Sequence, residues 1–251
     1  MKKHKHDIIE KKLGIPGDYQ YTALTGKNFV QANWHGNKLE AIRQVCKLNK
    51  KTAILDLGTG SGNFEIEFGK KVKQITGVDY HQEALDFLSM KIKQKKLKNI
   101  RLIREDIRHL NRVKDLGMYD LVVMIDVIEH IKIEEAEKLV KFLKKSLLPG
   151  GQVCIITPNY LSPWIYIEKL LDRVTIVPHF EGEQHLAKYH HANLRKLFQK
   201  NGFSESRVSS FNLLSFLIPN KKISSFLCRV EISSNIPFGN LLLGSFKNEK
   251  E

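Results

Sequence analysis

One glycine-rich stretch constrains the fold of this chain more than any other feature. A short apolar run, Ala53–Leu57, opens directly into Gly58, Gly60 and Gly62, and a helix-like segment follows. Glycine has no Cβ and tolerates positive φ, so such a turn lets the backbone approach a ligand closely. The helix beyond it presents unpaired N–H groups at its N-terminus. The stretch therefore predicts a strand, a tight turn and a helix start that together form one wall of a ligand pocket.

Short apolar runs and amphipathic helical segments alternate after this glycine turn. The predicted strands are 53–57, 74–79, 100–104, 120–125 and 152–157, and the predicted helices are 63–72, 82–97 and 134–147, the last stopped by Pro149, Gly150 and Gly151. This alternation predicts an α/β fold with a parallel sheet, right-handed crossovers and helices on both faces. A helix at 192–201 and two closing strands, 203–211 and 240–247, are predicted to complete it.

The segment before the first strand is predicted to be an N-terminal arm and cap helix over residues 1–50. Its first part, residues 1–20, reads as a loose arm, and its last part, 37–49, reads as a helix with Asn37 as N-cap. The aromatic-rich part between them, 19–36, leaves two alternatives open: a lid over the pocket, or an arm packed on the flank of the domain.

The composition is that of a globular protein with an unusual charge. The 251 residues are 42% hydrophobic and 27% charged, and the formal net charge is +14. That charge is consistent with a solvated lysine-rich surface, or with an anionic substrate, a nucleic acid or an anionic membrane as partner. Cys46, Cys154 and Cys228 are too far apart for a disulfide framework or a zinc site, so we expect a cytoplasmic location. No signal peptide is predicted, and no apolar run approaches the roughly 18 residues of a membrane span.

The pattern of the turn distinguishes between two kinds of ligand. Dinucleotide-binding domains use G-x-G-x-x-G, in which the third glycine lets helix and strand pack closely. Here that position is Asn63, and the pattern is D-x-G-x-G-x-G with Asp56 inside the strand. A carboxylate at Asp56 would repel a pyrophosphate, but it suits a ligand with a cationic end. S-adenosylmethionine carries an ammonium and a sulfonium and no phosphate, so it fits this pattern.

Five short motifs follow one another between residues 53 and 157. They are Asp56 to Gly62 (DLGTGSG), Gly77-Val78-Asp79, Glu105-Asp106-Ile107, Asp120 to Ile131 (DLVVMIDVIEHI) and Leu147 to Gly151 (LLPGG). In this order they resemble the class I S-adenosylmethionine-dependent methyltransferases. The stretch from Glu183 to Phe203 is also similar to the ubiquinone and natural-product O-methyltransferases. The resemblance implies a Rossmann-like seven-stranded sheet, mostly parallel with a C-terminal antiparallel strand, and S-adenosyl-L-methionine as cofactor.

The resemblance also assigns roles to single residues. Asp79 lies where the ribose hydroxyls bind, and Asp106 lies beside the adenine amino group, although it suits a helix N-cap equally well. Tyr80 is predicted either to lie against the adenine or to be a surface tyrosine. The predicted cofactor-binding residues are Asp56, Gly58, Thr59, Gly60, Gly62, Asp79, Tyr80, Asp106, Ile107 and Asp126.

The residues after the fourth strand are the candidates for chemistry. Methyl transfer to a hydroxyl needs removal of its proton, and histidine titrates in the range suited to that work. We therefore predict His130 and Glu129 as catalytic residues, with a structural or capping histidine as the alternative. The spacing D-x-x-E-H is similar to the E-x-x-E-H of the ubiquinone-biosynthesis O-methyltransferases, where these side chains bind a divalent cation. We predict no bound metal and keep Asp126, Glu129 and His130 as the alternative ligand set.

The expected function is methyl transfer to a small-molecule or lipid-like acceptor, at oxygen. It would be carried by a main domain over residues 51–251 with a substrate-side insertion at about 158–190. The apolar residues of that insertion, such as Trp164, the apolar and basic segment 211–238, and the net charge together predict peripheral contact with an anionic membrane. The alternative is an RNA or protein methyltransferase that uses the basic surface. Nucleic acid is the less favoured partner because no RNA-binding module is recognisable.

Overall fold

A seven-stranded sheet forms the centre of the protein. The computed structural model describes residues 16–163 and 185–249. The strands are β1 (Ala53–Leu57), β2 (Gln74–Asp79), β3 (Ile100–Arg104), β4 (Tyr119–Ile125), β5 (Leu147–Pro158), β6 (Ser204–Phe211) and β7 (Leu241–Lys247). Their order is β3-β2-β1-β4-β5-β7-β6, and β7 runs antiparallel to both neighbours whereas the other pairs are parallel. The predicted α/β class and the mostly parallel sheet with a C-terminal antiparallel strand are confirmed.

Helices cover both faces of this sheet. The helices are α1 (Tyr19–Thr25), α2 (Phe29–Val45), α3 (Asn63–Phe68), α4 (Gln82–Gln94), α5 (Ile133–Ser146), α6 (His191–Gln199) and α7 (Lys221–Ser234). Alternate residues of β1 point to opposite faces, so Ile54 joins a buried cluster with α2, α3 and α7, whereas Leu55 joins a cluster with α5 and α6. None of the helices in the described residues is long and apolar enough to cross a membrane.

The predicted start of the cap helix was wrong. Helix α2 begins at Phe29, and Asn28 is its N-cap, with a side-chain oxygen that accepts from the N–H groups of Val30 and Gln31. Asn37 instead lies buried in the middle of the helix and donates to Asn212 Oδ1 at 2.8 Å. Asparagine is common at helix N-caps, so Asn37 was predicted to be one. Its side chain instead binds a residue that is distant along the chain.

The boundary between α5 and β5 was also predicted wrongly. Strand β5 begins at Leu147, directly after α5, and includes Gly150 and Gly151 rather than starting beyond them. The register on β4 shifts between the pairs Tyr119↔Leu147 and Leu121↔Gln152. The glycines lie within this irregular part of β5. The strand bends there but remains paired with β4 on both sides of the bend.

Other predicted elements are shorter than expected. The predicted helix 63–72 ends at Phe68 and continues as a short 3-10 turn, Gly69–Lys71, and the predicted helix 82–97 ends at Gln94. Most of the predicted loose arm and Trp164 of the predicted insertion lie outside the described residues.

Candidate cofactor and acceptor site

The glycine turn has a backbone that only glycine adopts easily. Gly58, Gly60 and Gly62 have φ of +76°, +50° and +82°. A Cβ on Gly58 would lie 2.3 Å from the Val127 side chain, and a Cβ on Gly62 would lie 2.1 Å from that of Leu88. Both the left-handed conformation and the lack of space therefore require glycine here. The turn brings a bare backbone to the carboxyl ends of the parallel strands, where ligands of such sheets bind.

Asp79 at the end of β2 is tied to this turn. Its Oδ2 accepts from the Gly60 N–H at 2.8 Å, and its Oδ1 accepts from the His81 N–H at 2.9 Å. Burial raises the pKa of this carboxyl, while the N–H donors of His81 and Gly60 act in the opposite direction. Each carboxylate oxygen can accept more than one hydrogen bond, so the group keeps acceptor capacity for a ligand hydroxyl.

Two buried carboxyls lie beneath the turn. Asp56 in β1 and Glu65 in α3 are 2% and 0% exposed. Burial raises the pKa of Asp56 to about 7, the neighbouring Glu65 carboxyl acts in the opposite direction, and the charge of Asp79 raises it. Burial and the charge of Asp56 raise the pKa of Glu65 well above its ordinary value. With the pKa of each carboxyl raised, ionisation of both at once is disfavoured. Sequence reasoning missed Glu65, which lies beside Phe64 on the buried side of the helix.

Helix α1 lies over the glycine turn. Gln20 Oε1 accepts from the Ser61 N–H at 3.0 Å, and the Tyr21 N–H donates to Ser61 Oγ at 2.9 Å. The Asn63 side-chain amide also donates to the Gln20 carbonyl at 2.9 Å. Of the two alternatives for the aromatic-rich segment, these contacts favour the one that covers the pocket. Gln20 was not among the predicted site residues.

A partly buried ion pair forms one wall of the pocket that Gly58 and Thr59 border. The ammonium group of Lys38 in α2 pairs with the carboxylate of Asp126, which follows β4 and has a φ of +54°. His35, one helical turn before Lys38, borders the same pocket, as do Gly58 and Thr59. Burial, and then the charge of Lys38, lower the pKa of His35 to about 3, so this imidazole is neutral. Sequence reasoning named Asp126 but missed Lys38 and His35.

Asp106 caps the short 3-10 turn Ile107–Arg112. Its Oδ1 accepts from the Arg108 N–H at 2.9 Å, and its carboxylate also pairs with the Arg108 guanidinium. Burial raises the pKa of Asp106, but the hydrogen bonds from Arg108 prevail and hold that pKa below its ordinary value. The capping role considered for this residue is therefore present. The Tyr80 carbonyl accepts from Arg104 Nε at 3.3 Å, and Tyr80 is partly exposed.

The second part of the site lies after β4, in the 3-10 turn Ile128–His130. Glu129 is fully buried, and its Oε2 accepts from Thr157 Oγ1 at 2.9 Å. Its Oε1 makes no hydrogen bond among the described residues and lies 4.0 Å from His130 Nε2. Burial, and then the charge of Asp126, raise the pKa of Glu129 to about 8. A carboxyl that titrates near neutral pH is thus held directly behind a half-exposed histidine.

A second histidine adjoins this pair. The rings of His130 and His185 are 5.0 Å apart in an edge-to-face arrangement, and Tyr160 Oη lies 2.5 Å from His185 Nδ1. Burial, and then the charge of His130, lower the pKa of His185 to about 4. The Ala187 N–H donates to the Glu129 carbonyl at 3.0 Å, which anchors this segment on the 3-10 turn. Loops from three parts of the chain therefore form one wall.

The structure does not bring together the alternative metal ligands predicted from the sequence. Asp126 is held by Lys38 on the other side of the turn. Glu129 and His130 are instead grouped with His185, with one potential ligand atom of each lying within 4.8 Å of the others. Asp126, a member of the alternative ligand set, is therefore not part of this group, and its carboxylate pairs with Lys38.

Comparison with known proteins relates the chain to methyltransferases. The family model described as "Methyltransferase domain" matches residues 33–205. The EEF1A lysine methyltransferase 2 of Danio rerio is 31% identical over 173 residues, which are 61% of this chain and 72% of that protein. The ubiquinone biosynthesis O-methyltransferase of Rickettsia akari is 29% identical over 109 residues, which are 43% of this chain and 41% of that protein.

Solved structures share the fold. Magnesium protoporphyrin IX methyltransferase from Synechocystis, with bound S-adenosylhomocysteine, has a TM-score of 0.66 at 16% identity and covers 97% of this chain and 99% of that chain. The N-methyltransferase NodS from Bradyrhizobium japonicum, also with S-adenosylhomocysteine, has a TM-score of 0.60 at 13% identity and covers 97% of this chain and 98% of that chain. At such identities the likeness concerns the fold alone. The family match, which spans most of the chain, shows that the protein belongs to the class I S-adenosylmethionine-dependent methyltransferases.

Proposed function

We propose that the acceptor of this methyltransferase is a small-molecule or lipid-like alcohol that enters beside His130. The observation that supports it most directly is the buried Glu129 carboxyl, with one unpartnered oxygen, behind the half-exposed His130. A hydroxyl is a weak nucleophile until its proton is removed, so a base at this position would serve such an acceptor. Methyl transfer to oxygen is also the activity named for one relative, the ubiquinone biosynthesis O-methyltransferase of Rickettsia akari.

For the cofactor, we infer a site that spans the pocket under α1. Gly58 and Thr59 of the glycine turn line this pocket together with Asn63, so the turn would border the ligand. Asp79 would accept from the ribose hydroxyls, and Ile107 with Tyr80 would border the adenine. Lys38 and Asp126 offer an ammonium and a carboxylate, and the amino-acid end of the cofactor has the complementary pair of charges. Asp56 and Thr59 would complete this end of the site.

For the chemistry, S-adenosylmethionine supplies a sulfonium methyl group when it is bound. His130 would take the proton of the acceptor hydroxyl while the new oxygen–carbon bond forms and the sulfur–carbon bond breaks. Glu129 would stabilise the protonated imidazole in its ionised form, which its pKa of about 8 places toward alkaline pH, because an opposite charge nearby favours the charged form. A dry, aligned pocket would contribute much of the remaining acceleration.

A labelled methyl-transfer assay on separate lipid, small-molecule, protein and RNA fractions tests this proposal. We expect label in the lipid or small-molecule fraction, and a loss of kcat of about 10²- to 10⁴-fold for His130→Ala, as for removal of a general base. His191→Ala is the matched control, since His191 lies in α6 and interacts with Arg195, His190 and Glu205 instead. Full activity of His130→Ala would refute its role, and label found only in RNA would refute the acceptor class.

A second candidate acceptor is a protein lysine. It is favoured by the 31% identity to EEF1A lysine methyltransferase 2 of Danio rerio over 72% of that protein. A lysine must also lose a proton before it attacks, so the same histidine could serve it. In the assay above, label confined to the protein fraction would establish this candidate and exclude the alcohol.

A further inference from the structure

Helix α7 exposes an apolar stripe to solvent. Ile223, Phe226 and Val230 are 51%, 56% and 43% exposed. They are spaced three and four residues apart, so they lie on one side of the helix. The opposite side packs on α2, where Ser224 Oγ donates to Asn37 Oδ1 and Cys228 lies against the Asn37 carbonyl. Ile223, Phe226 and Val230 are therefore turned outward, whereas Ile232 on the attached side of the helix is buried.

Neighbouring loops extend this apolar surface toward the site. Leu214 and Phe238 are 62% and 52% exposed, and the Leu214 N–H donates to Glu231 Oε1 in α7 at 2.9 Å. Leu214 follows the end of β6 and Phe238 precedes the start of β7, where Phe211 pairs with Leu241. This pair lies at the carboxyl end of β5, where Pro158 also pairs with Leu241, so the loops lie at the same sheet edge as the glycine turn.

The charged residues of the segment that forms this surface are mostly basic. Between Ser206 and Asn248 the basic residues are Arg207, Lys221, Lys222, Arg229 and Lys247, and the sole acidic residue is Glu231. Glu231 is buried, and its carboxylate accepts from the N–H groups of Leu214 and Ser215. Lys221 and Lys222 are exposed at the N-terminus of α7. The surface therefore presents apolar and cationic groups and no exposed carboxylate of this segment.

We propose that this surface docks the enzyme on an anionic lipid membrane. The α7 surface is defined by Ile223, Phe226, Val230, Leu214 and Phe238, with Lys221 and Lys222 at its rim. Exposed apolar patches mark interaction sites, and an amphipathic helix with lysines beside its apolar face inserts into the boundary of an anionic bilayer. Two copies of a chain with net charge +14 would repel each other across such a rim, which favours lipid over a second copy.

Docking in this way has a consequence for the reaction. The loops that hold Leu214 and Phe238 lie at the sheet edge where His130 also lies, so a docked enzyme would present that edge close to the lipid. A lipid-like acceptor could then reach the site from the membrane. The docking itself does not rest on the proposed acceptor, because vesicle binding is measured without methyl transfer.

Vesicle co-sedimentation of the full chain tests the proposal. We expect the protein to sediment with phosphatidylcholine vesicles that contain phosphatidylglycerol, to sediment poorly with pure phosphatidylcholine, and to be released by added salt. The double variant Ile223→Ser/Phe226→Ser should bind anionic vesicles about tenfold more weakly or worse, because the apolar side chains no longer insert. Lys221→Gln/Lys222→Gln should weaken binding by about tenfold and reduce the salt dependence.

Matched variants separate docking from folding. Met90 and Met118 are 43% and 47% exposed elsewhere on the surface, so Met90→Ser/Met118→Ser should bind vesicles like the wild type. All variants should keep the S-adenosylhomocysteine affinity of the wild type, which shows that they are folded. Unchanged vesicle binding by Ile223→Ser/Phe226→Ser would overturn the proposal. So would light scattering that finds a dimer of the wild type and a monomer of this variant, since a second copy would then occupy the surface.

Discussion

The cofactor side and the acceptor side of the site are built in different ways. Around the glycine turn the contacts involve the backbone: three glycines have positive φ, and Asp79 binds the N–H groups of Gly60 and His81. On the acceptor side the contacts are between side chains of separate loops, such as Tyr160 with His185 and Thr157 with Glu129. Backbone requirements restrict the residue type at a position, whereas side-chain contacts can be met by many combinations. The residue types on the first side are therefore more narrowly restricted than those on the second.

The largest effect is expected from a substitution on the backbone-built side. Gly60→Val places a β-branched side chain at a φ of +50°, with its Cβ 1.9 Å from Gln20 Oε1. Both the strain and the displacement of α1 should weaken S-adenosylhomocysteine binding by about 100-fold or more, as measured by calorimetry. Gly36→Ala is the control, because a Cβ there would meet only Leu24 at 3.7 Å. Equal affinities of the two variants would show that the turn does not hold the cofactor.

The acceptor side should respond to pH through Glu129. Its pKa of about 8 in the folded protein lies above the ordinary 4.5, so the folded state binds the proton more tightly than the unfolded state. The stability that this proton contributes is full below pH 4.5 and is lost as the pH rises to about 8. Glu129→Gln keeps a neutral side chain at all pH values. The free energy of unfolding of the variant, relative to that of the wild type, should therefore increase by on the order of a few kcal/mol from pH 5 to pH 8. Urea unfolding at the two pH values measures this difference.

A matched glutamate tests the origin of that effect. Glu134 is exposed at the start of α5, and Glu134→Gln should change the free energy of unfolding by the same small amount at both pH values. If Glu129→Gln tracks the wild type across the same pH range, the carboxyl is ionised when buried. It could then not exchange a proton with His130 near neutral pH.

The charge on Asp79 should matter less than the turn itself. We expect Asp79→Ala to weaken S-adenosylhomocysteine binding by about 1–3 kcal/mol, the usual cost of losing a charged hydrogen-bond partner. Calorimetry on this variant and on Asp86→Ala, an exposed carboxylate of α4, separates the local effect from the loss of one negative charge. An affinity equal to that of the wild type would remove Asp79 from the ribose site.

What could be predicted from the sequence follows the same division. The strands, the glycine turn and the place of Asp79 at the end of β2 were predicted, because strand periodicity and glycine spacing are local signals. Lys38 and Gln20 were missed because their partners, Asp126 and Ser61, lie 88 and 41 residues away along the chain. Nothing in the local pattern around a lysine in a helix distinguishes a buried ion pair from a solvated surface group.

Helix α7 was missed for a different reason. Its buried side carries Ser224 and Cys228, whereas Ile223 and Phe226 face solvent. Ile232 is also buried, so apolar residues lie on both sides of this helix and their periodicity gives no clear signal. The exposed apolar residues are informative once the structure is known, because patches of this kind mark interaction surfaces.

The smallest effects are expected from two asparagine N-caps, one on the helix that lines the cofactor pocket and one on the helix of the exposed apolar surface. Asn28 caps α2, which carries Lys38, and Asn220 caps α7, with side-chain oxygens that accept from two backbone N–H groups in each case. Replacement by alanine should cost about 1 kcal/mol of unfolding free energy at either position. Only Asn28→Ala should also weaken S-adenosylhomocysteine binding, because α2 lines the cofactor pocket and the exposed side of α7 does not. Urea unfolding and calorimetry on both variants give the two quantities. If Asn220→Ala weakened cofactor binding as much as Asn28→Ala, the two sides would be coupled through the contact of α7 with α2, and could not be altered independently.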